Sequence, residues 1–540
     1  MELDTNTEFD GQAVSAEPLG DSDPSQPVVR TRAGAVRGLW RGDSAAFLGI
    51  PFAEAPVGER RFAAPVPHSS WEGVRDATAY GATPQRQALS EVTLIPEPSI
   101  PGESTLNVNV FTPRPGDDAA ALPVLVYIHG GGFVAGSPAS PWYDGAAFNR
   151  DGIVTVSVSY RLGFDGFGWI EDAPHNRGIL DWILALEWVR DNIAEFGGDP
   201  RRVTIAGQSA GGAAVLALCA IPRATDLFAR AISISGPDSP ISLEDSERNG
   251  RALTERAGVP PTRAGLSTLS EEQVLQLQNG IGADADSGHA VEAEDADRAE
   301  PTGHAKHTGP AEQESQDPLA ALAALTSDGL QWGPVVDGEL VPETVSQAFL
   351  NGVGGGHPLV LGTTDNEFNM ALASLSEALA GVDPVSAFAR FGVPRQVAEA
   401  YVASHPQLDT AETLGQFVTD AMFRAPNRAL AELRARAGLP TWLYRFSWKS
   451  PVQHGAVHCL DVPFFFDCLQ ADRVDAIAGP NPPLELAVEV HGSAVRFIAE
   501  GDPGWPAYDL EERATRAFGG TSSVIRDGFS DVAMLAPHAQ

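Results

Sequence analysis

The chain has 540 residues, 43% of them hydrophobic, which is enough to bury a large core. Its formal net charge of -35, from 71 acidic against 36 basic residues, excludes nucleic acid and anionic membranes as partners, since both would repel it. The first residues lack a signal peptide's basic and apolar regions, no run of about eighteen apolar residues occurs, and the 3 cysteines are too few for a disulfide framework, so the expected location is a reducing cytoplasm.

Residues 1 to 27 are acidic and polar with little periodicity, and read as a disordered arm preceding one domain over 28–540. Leu122 to Ile128 is an apolar run suited to a buried strand, and His129-Gly130-Gly131-Gly132-Phe133 follows it directly. Consecutive glycines let backbone amides approach a negative oxygen at about 3 Å, as a tetrahedral intermediate of acyl transfer requires. Arg202 to Ala206 reads as a second buried strand and Ala213 to Ala220 as a helix packed on a sheet, with Gly207-Gln208-Ser209-Ala210-Gly211-Gly212 between them. Ser209 therefore sits on a sharp strand-to-helix turn that only flanking glycines tolerate, with its hydroxyl above the sheet edge as a nucleophile. The oxyanion donors expected from the pair of motifs are the amides of Gly131, Gly132 and Ala210.

Farther along, Ala283 to Pro318 carries ten acidic residues against two basic ones and few apolar side chains, which predicts a mobile surface insertion. Its His289, His304 and His307 lack the spacing of a metal site, so neither metal nor cofactor is expected. Lys306 and Lys449 are the only lysines; arginine carries the positive charge, and alanine- and arginine-rich coding accounts for this better than salt adaptation does. Pro358 to Gly362 reads as another strand, and Asp365 and Glu367 leave its carboxyl end, either being able to reach an imidazole. A last strand over Thr441 to Trp448 precedes a loop with His458, the candidate general base, and with His454 as the alternative on the same reasoning. Phe133, Gln208, Trp332 and Phe368 flank these motifs and are candidate pocket residues.

Taken with Phe47-Leu48-Gly49-Ile50-Pro51-Phe52-Ala53, Tyr160-Arg161-Leu162-Gly163, Phe196-Gly197-Gly198-Asp199-Pro200 and Gly333-Pro334-Val335-Val336-Asp337-Gly338, these motifs resemble, in order, those of the type-B carboxylesterases. The resemblance runs from about Val28 to about Asp527. It implies an α/β-hydrolase fold, a central mostly parallel sheet flanked by helices. It also implies hydrolysis of a small-molecule ester by a Ser209, Glu367 and His458 triad, and so favours Glu367 over Asp365. Many relatives carry a disulfide at the positions that correspond to Thr83 and Thr105 here, so that bridge is absent. Members specialised for choline esters carry a tryptophan in the segment corresponding to residues 83–105 and a glutamate before the nucleophile. This chain has no tryptophan there and has Gln208, which points to neutral esters. A carbamate or aryl-amide hydrolase would use the same triad. Non-catalytic adhesion members typically lose the serine, and an interfacial lipase would show a large apolar lid. A monomer or small homo-oligomer is expected.

Overall fold

The computed structural model describes residues 26–84, 94–238, 240–278, 330–369, 376–377 and 379–535. All but the last two residues of the 1–27 arm, and the whole 283–318 insertion, lie outside the described residues.

Within them eleven strands form one twisted sheet: β1 (Leu39–Arg41), β2 (Ser44–Pro51), β3 (Asn107–Thr112), β4 (Leu122–Ile128), β5 (Val154–Val158), β6 (Gly198–Gln208), β7 (Arg230–Ile234), β8 (Leu359–Thr364), β9 (Thr441–Phe446), β10 (Ala514–Phe518) and β11 (Ser523–Arg526). The order across the sheet is β1-β2-β3-β5-β4-β6-β7-β8-β9-β10-β11. Every pairing from β5 to β10 is parallel, while the outer pairings are antiparallel. Helices that matter below are α1 (Arg177–Asn192), α2 (Ala210–Ala220), α3 (Thr410–Thr419), α4 (Ala425–Arg436) and α5 (Leu484–Glu500). This is the mostly parallel, helix-flanked sheet of an α/β-hydrolase.

Alternation along the strands divides the core in two. Val124, Val126 and Ile128 of β4, with Val203 and Ile205 of β6, pack into one apolar layer with residues of α1, α2 and α4. Leu125, Tyr127 and Ala206 face the opposite layer with residues of α5 and Phe464, Phe465 and Phe466. A parallel sheet buried on both faces is why these strands read as continuous apolar runs. The strand expected at 202–206 extends over Gly198–Gln208 because β4 pairs along one side of it and β7 along part of the other. The helix expected at 213–220 begins at Ala210, immediately after the serine. The strand expected to reach Trp448 ends at Phe446, opposite the last residue of β10, Phe518.

The register places the chemistry. Ile128 pairs with Gly207, Gln208 with Ile234, Ile234 with Gly362, and Thr364 with Phe446. The carboxyl ends of β4, β6, β7, β8 and β9 therefore form one edge, the edge where open α/β sheets bind ligands. Near it Thr83 and Thr105 are both buried, and in place of a disulfide the Thr83 hydroxyl accepts from the Ile100 amide at 2.9 Å. Cys219, Cys459 and Cys468 are free thiols, the first two buried and the third half-buried. Among the described residues no helix is long and apolar enough to cross a membrane.

Candidate active site

Ser209 leaves β6 with φ 59° and ψ -125°, a conformation costly for any residue with a side chain. Its amide donates to the Ile234 carbonyl at 2.8 Å and its carbonyl accepts from Ala213, so both neighbouring elements hold the turn. The flanking glycines are steric requirements: a Cβ at Gly207 would lie 2.3 Å from the Gly211 carbonyl oxygen, and one at Gly211 would lie 2.0 Å from that of Ile128. The backbones at the ends of β4 and β6 thus touch, which brings the two glycine motifs together.

Across this contact, Gly131 and Gly132 have φ of 115° and 58°, and Phe133 follows at 62°. The Gly131 carbonyl accepts from Val134 and Ala135, closing a tight loop. Among the described residues the amides of Gly131, Gly132 and Ala210 donate to no protein group. For Ala210 the reason is its place in the first turn of α2, where helical amides have no partner within the helix.

On the other side, Glu367 is fully buried and both of its carboxylate oxygens are engaged. Oε1 accepts from the Ser235 hydroxyl at 2.6 Å and the Thr364 amide at 2.8 Å, and Oε2 lies 2.5 Å from His458 Nδ1. Backbone bonds zip the two loops together: His458 N donates to the Glu367 carbonyl, Asn366 N to the Ala456 carbonyl, and Ala456 N to Asn366 Oδ1. Both alternatives are placed elsewhere. Asp365 pairs with Arg445 at 2.8 Å, and His454 is exposed on the surface at φ 57°. Burial disfavours the charged His458 ring, but Cys459 and the Glu367 carboxylate outweigh it, and its pKa stands well above 6.5. Behind the pair, Asp461 accepts from the Tyr444 hydroxyl at 2.9 Å; burial and the charge of Glu367 push its carboxyl up to about 7.

A π-helical turn, Asp420–Arg424, joins α3 to α4 and delivers a ring to this site. Pro426 lies at the start of α4; it has no N–H for the helical ladder and its ring clashes with the carbonyl four residues back, so the helix widens before it. Phe423 from this turn and Phe368 both pack on His458, at ring separations of 5.3 and 5.2 Å, and stack on each other. The turn is anchored by a buried pair, Arg424 to Asp420 at 2.6 Å, with Tyr401 and Gln416 also donating to Asp420. Gln416 in turn accepts from Asn366 and Asn369, tying α3 to the Glu367 loop.

The four candidate pocket residues are placed differently. Phe368 lies against the imidazole, and Gln208 Nε2 stands 3.0 Å from His458 Nε2. Phe133 and Trp332 are in the core, Phe133 against Phe167 and Trp182, Trp332 edge-on to Phe164. Sequence reasoning assigned no role to Ser235, Gln416 or Phe423; the one signal was Pro426 within an otherwise helical stretch. Among the described residues no group of three or more His, Cys, Asp or Glu is arranged to hold a metal ion, and His289, His304 and His307 lie outside them.

The model of the carboxylesterase family matches residues 25–515. The para-nitrobenzyl esterase of Bacillus subtilis is 32% identical over 504 residues, covering 90% of this chain and 94% of its own. Phenmedipham hydrolase of Pseudarthrobacter oxydans is 30% identical, covering 93% and 97%. Among solved structures, a Geobacillus stearothermophilus carboxylesterase superposes with a TM-score of 0.78 at 30% identity, over 95% of this chain and all of that one. A pNB esterase gives 0.76 at 29%, over 95% and 99%.

Proposed function

Because the chain belongs to the carboxylesterase family and is a carboxylic ester hydrolase, we propose that Ser209, His458 and Glu367 are its nucleophile, general base and orienting acid. The observation that carries this reading is the 2.5 Å contact between Glu367 Oε2 and His458 Nδ1, on loops at the same sheet edge as the strained Ser209 turn. A carboxylate there fixes the Nδ1–H tautomer, leaves Nε2 as the basic atom and stabilises the imidazolium that forms.

In the first half-reaction Ser209 Oγ attacks the ester carbonyl as its proton passes to His458 Nε2. The amides of Gly131, Gly132 and Ala210 meet the oxyanion, each such donor being worth about 3 kcal/mol in the transition state. His458 then gives its proton to the departing alcohol, and the acyl group remains on Oγ. Water repeats the sequence, with His458 again as base, and releases the acid. The ring nitrogens of His458 are engaged here by Glu367 and Gln208, and the Ser–His bond forms in the complex with substrate, where catalytic hydrogen bonds commonly tighten.

The substrates are neutral esters. With Gln208 before the nucleophile and no tryptophan in residues 83–105, a quaternary ammonium lacks both a carboxylate and a cation-π face, each worth about 1 kcal/mol or more when desolvated. A panel of p-nitrophenyl esters, carbamates and anilides run beside Ser209→Ala tests the reading: esters should turn over fastest, and the variant should be inert on all three. Butyrylcholine against its neutral isostere 3,3-dimethylbutyl butyrate tests the substrate class. A choline preference above about tenfold that survives high salt would refute it, because surface steering is screened beyond about 8 Å.

A further inference from the structure

Gln208 does more than line the pocket. Its side chain is buried, 1% exposed, and its amide nitrogen lies 3.0 Å from His458 Nε2, the atom that must take the serine proton. Gly130 fixes where the rest of the residue goes: a Cβ at Gly130 would lie 2.6 Å from the Gln208 carbonyl and 3.2 Å from Gln208 Oε1. The first glycine of the triple thus leaves room for this side chain, with the carboxamide oxygen toward Gly130 and the N–H toward the ring. Glu367 holds the other ring nitrogen at 2.5 Å. The imidazole is therefore clamped at both nitrogens, by a carboxylate that can only accept and by an amide nitrogen that can only donate.

We propose that Gln208 is a positioning residue of the base: its N–H occupies the Nε2 lone pair of neutral His458, fixes the Nδ1–H tautomer from the far side, and opposes protonation until Ser209 takes its place. This rests on the reading of His458 as the base. A donor at Nε2 can bond only the neutral ring, whereas a carboxylate at Nδ1 favours the charged one, so the two partners pull in opposite directions. The titratable groups acting on the ring are Glu367 from the β8 loop and Cys459 and Asp461 from its own loop. The β6 turn contributes the neutral Gln208, and the π turn the Phe423 ring. Glu367 at Nδ1 favours the charged ring and the Gln208 N–H at Nε2 the neutral one, so Gln208 is the counterweight to the carboxylate.

Gln208→Met keeps the length of the side chain and removes the donor. The acid limb of kcat/KM for p-nitrophenyl butyrate should then move to higher pH by about half a unit or more, because only the neutral ring has lost a partner. Gln208→Glu, which preserves shape and adds a carboxylate at Nε2, should move it farther, by about one unit or more. The proposal is overturned if neither variant moves the limb, or if Gln208→Met moves it to lower pH, which would mean that the amide oxygen faces an imidazolium. If Gln208→Met does not fold, the Gln208→Glu profile decides alone. Nitrogen-15 NMR titration of His458 in a Ser209→Ala background reads the same shifts without turnover. A chain that proved inactive on esters would thus count against the triad reading while the clamp was still tested.

Discussion

The two halves of the site are held by different physics. On the β4 and β6 side, the parts are fixed by backbone against backbone: Gly207 against Gly211, Gly211 against Ile128, Gly130 against Gln208, with no room for one methyl group at any of them. On the β8 and β9 side, the parts are fixed by side-chain hydrogen bonds: Ser235 to Glu367, Gln416 to the carbonyl of Asp365, Asn366 to Gln416, and Arg424 to Asp420. Steric contact fails abruptly, since a closed backbone contact cannot be stretched. A polar network loses one bond at a time. The first half should therefore break on single small substitutions, and the second should weaken by degrees.

The largest expected effect removes the chemistry itself. Ser209→Ala and His458→Ala should each lower kcat by a factor on the order of 10⁴ or more, and the double variant should be little worse than either, because triad members act as a unit. Single-turnover kinetics with p-nitrophenyl butyrate is the measurement, and additive losses would contradict a triad. Gly211→Ala should follow. Alanine is the better helix former by about 1 kcal/mol, but its Cβ would lie 2.0 Å from the Ile128 carbonyl, and overpacking against backbone costs more than that, about 3 kcal/mol or beyond. Gly492→Ala in α5, whose Cβ would meet nothing within 4 Å, is the matched control and should stabilise by up to about 1 kcal/mol. Urea melts of the two variants that shifted in the same direction would sink the steric account of the first half.

This contrast also explains what could be read from the sequence. Glycines demanded by close approach or by a positive φ stand in short local patterns, so Gly131, Gly132, Gly207 and Gly211, and Ser209 between the last two, are visible with no structure at all. Glu367 was separated from Asp365 only by resemblance, since both leave the same strand and spacing treats them alike. In the structure Arg445 engages Asp365, and Ser235 with the Thr364 amide engages Glu367. Ser235 stands far in the chain from Gln416, Asp420 and Phe423, which share one helical stretch, and side-chain networks assembled across a sheet edge leave no pattern in either. Trp332 is a different case. An aromatic residue next to a recognisable motif reads as pocket, and here it packs edge-on against Phe164 in the core.

Asp461 sharpens the comparison through pH. Its folded-state pKa, about 7, lies above the ordinary 3.8, so its contribution to stability is fully present below about pH 4 and is lost as pH rises toward 7. Asp461→Asn removes the titration while leaving an acceptor for the Tyr444 hydroxyl. The stability of the natural chain relative to this variant should decline between about pH 4 and pH 7, by up to a few kcal/mol at about 1.4 kcal/mol per pH unit, and be flat above. Chemical denaturation at four or five pH values checks it. A difference that rises with pH would mean that Asp461 is ionised and paired in the fold.

The smallest effect is the most telling for the second half. Ser235 donates one of the two hydrogen bonds received by Glu367 Oε1, and Ser235→Ala leaves the Thr364 amide on that oxygen and His458 on the other. Ser235 also has φ 47°, which alanine must adopt at no less cost, so the substitution relieves no strain. A lost hydrogen bond to a buried carboxylate costs about 1.5 to 3 kcal/mol in stability when nothing replaces it, and the surviving Thr364 bond should keep the loss near the lower figure. Turnover should fall by less than about tenfold, because the geometry between Glu367 Oε2 and His458 Nδ1 is held by the surviving bonds and by the backbone zipper through Asn366 and Ala456. Loss of Oε1 donation makes the carboxylate a stronger base toward the imidazole, so the acid limb of the rate profile should shift upward while the plateau changes little. A collapse of kcat to the level of Ser209→Ala would show that this half also hangs on a single contact, and the distinction between a brittle elbow and a graded acid–base pair would be lost.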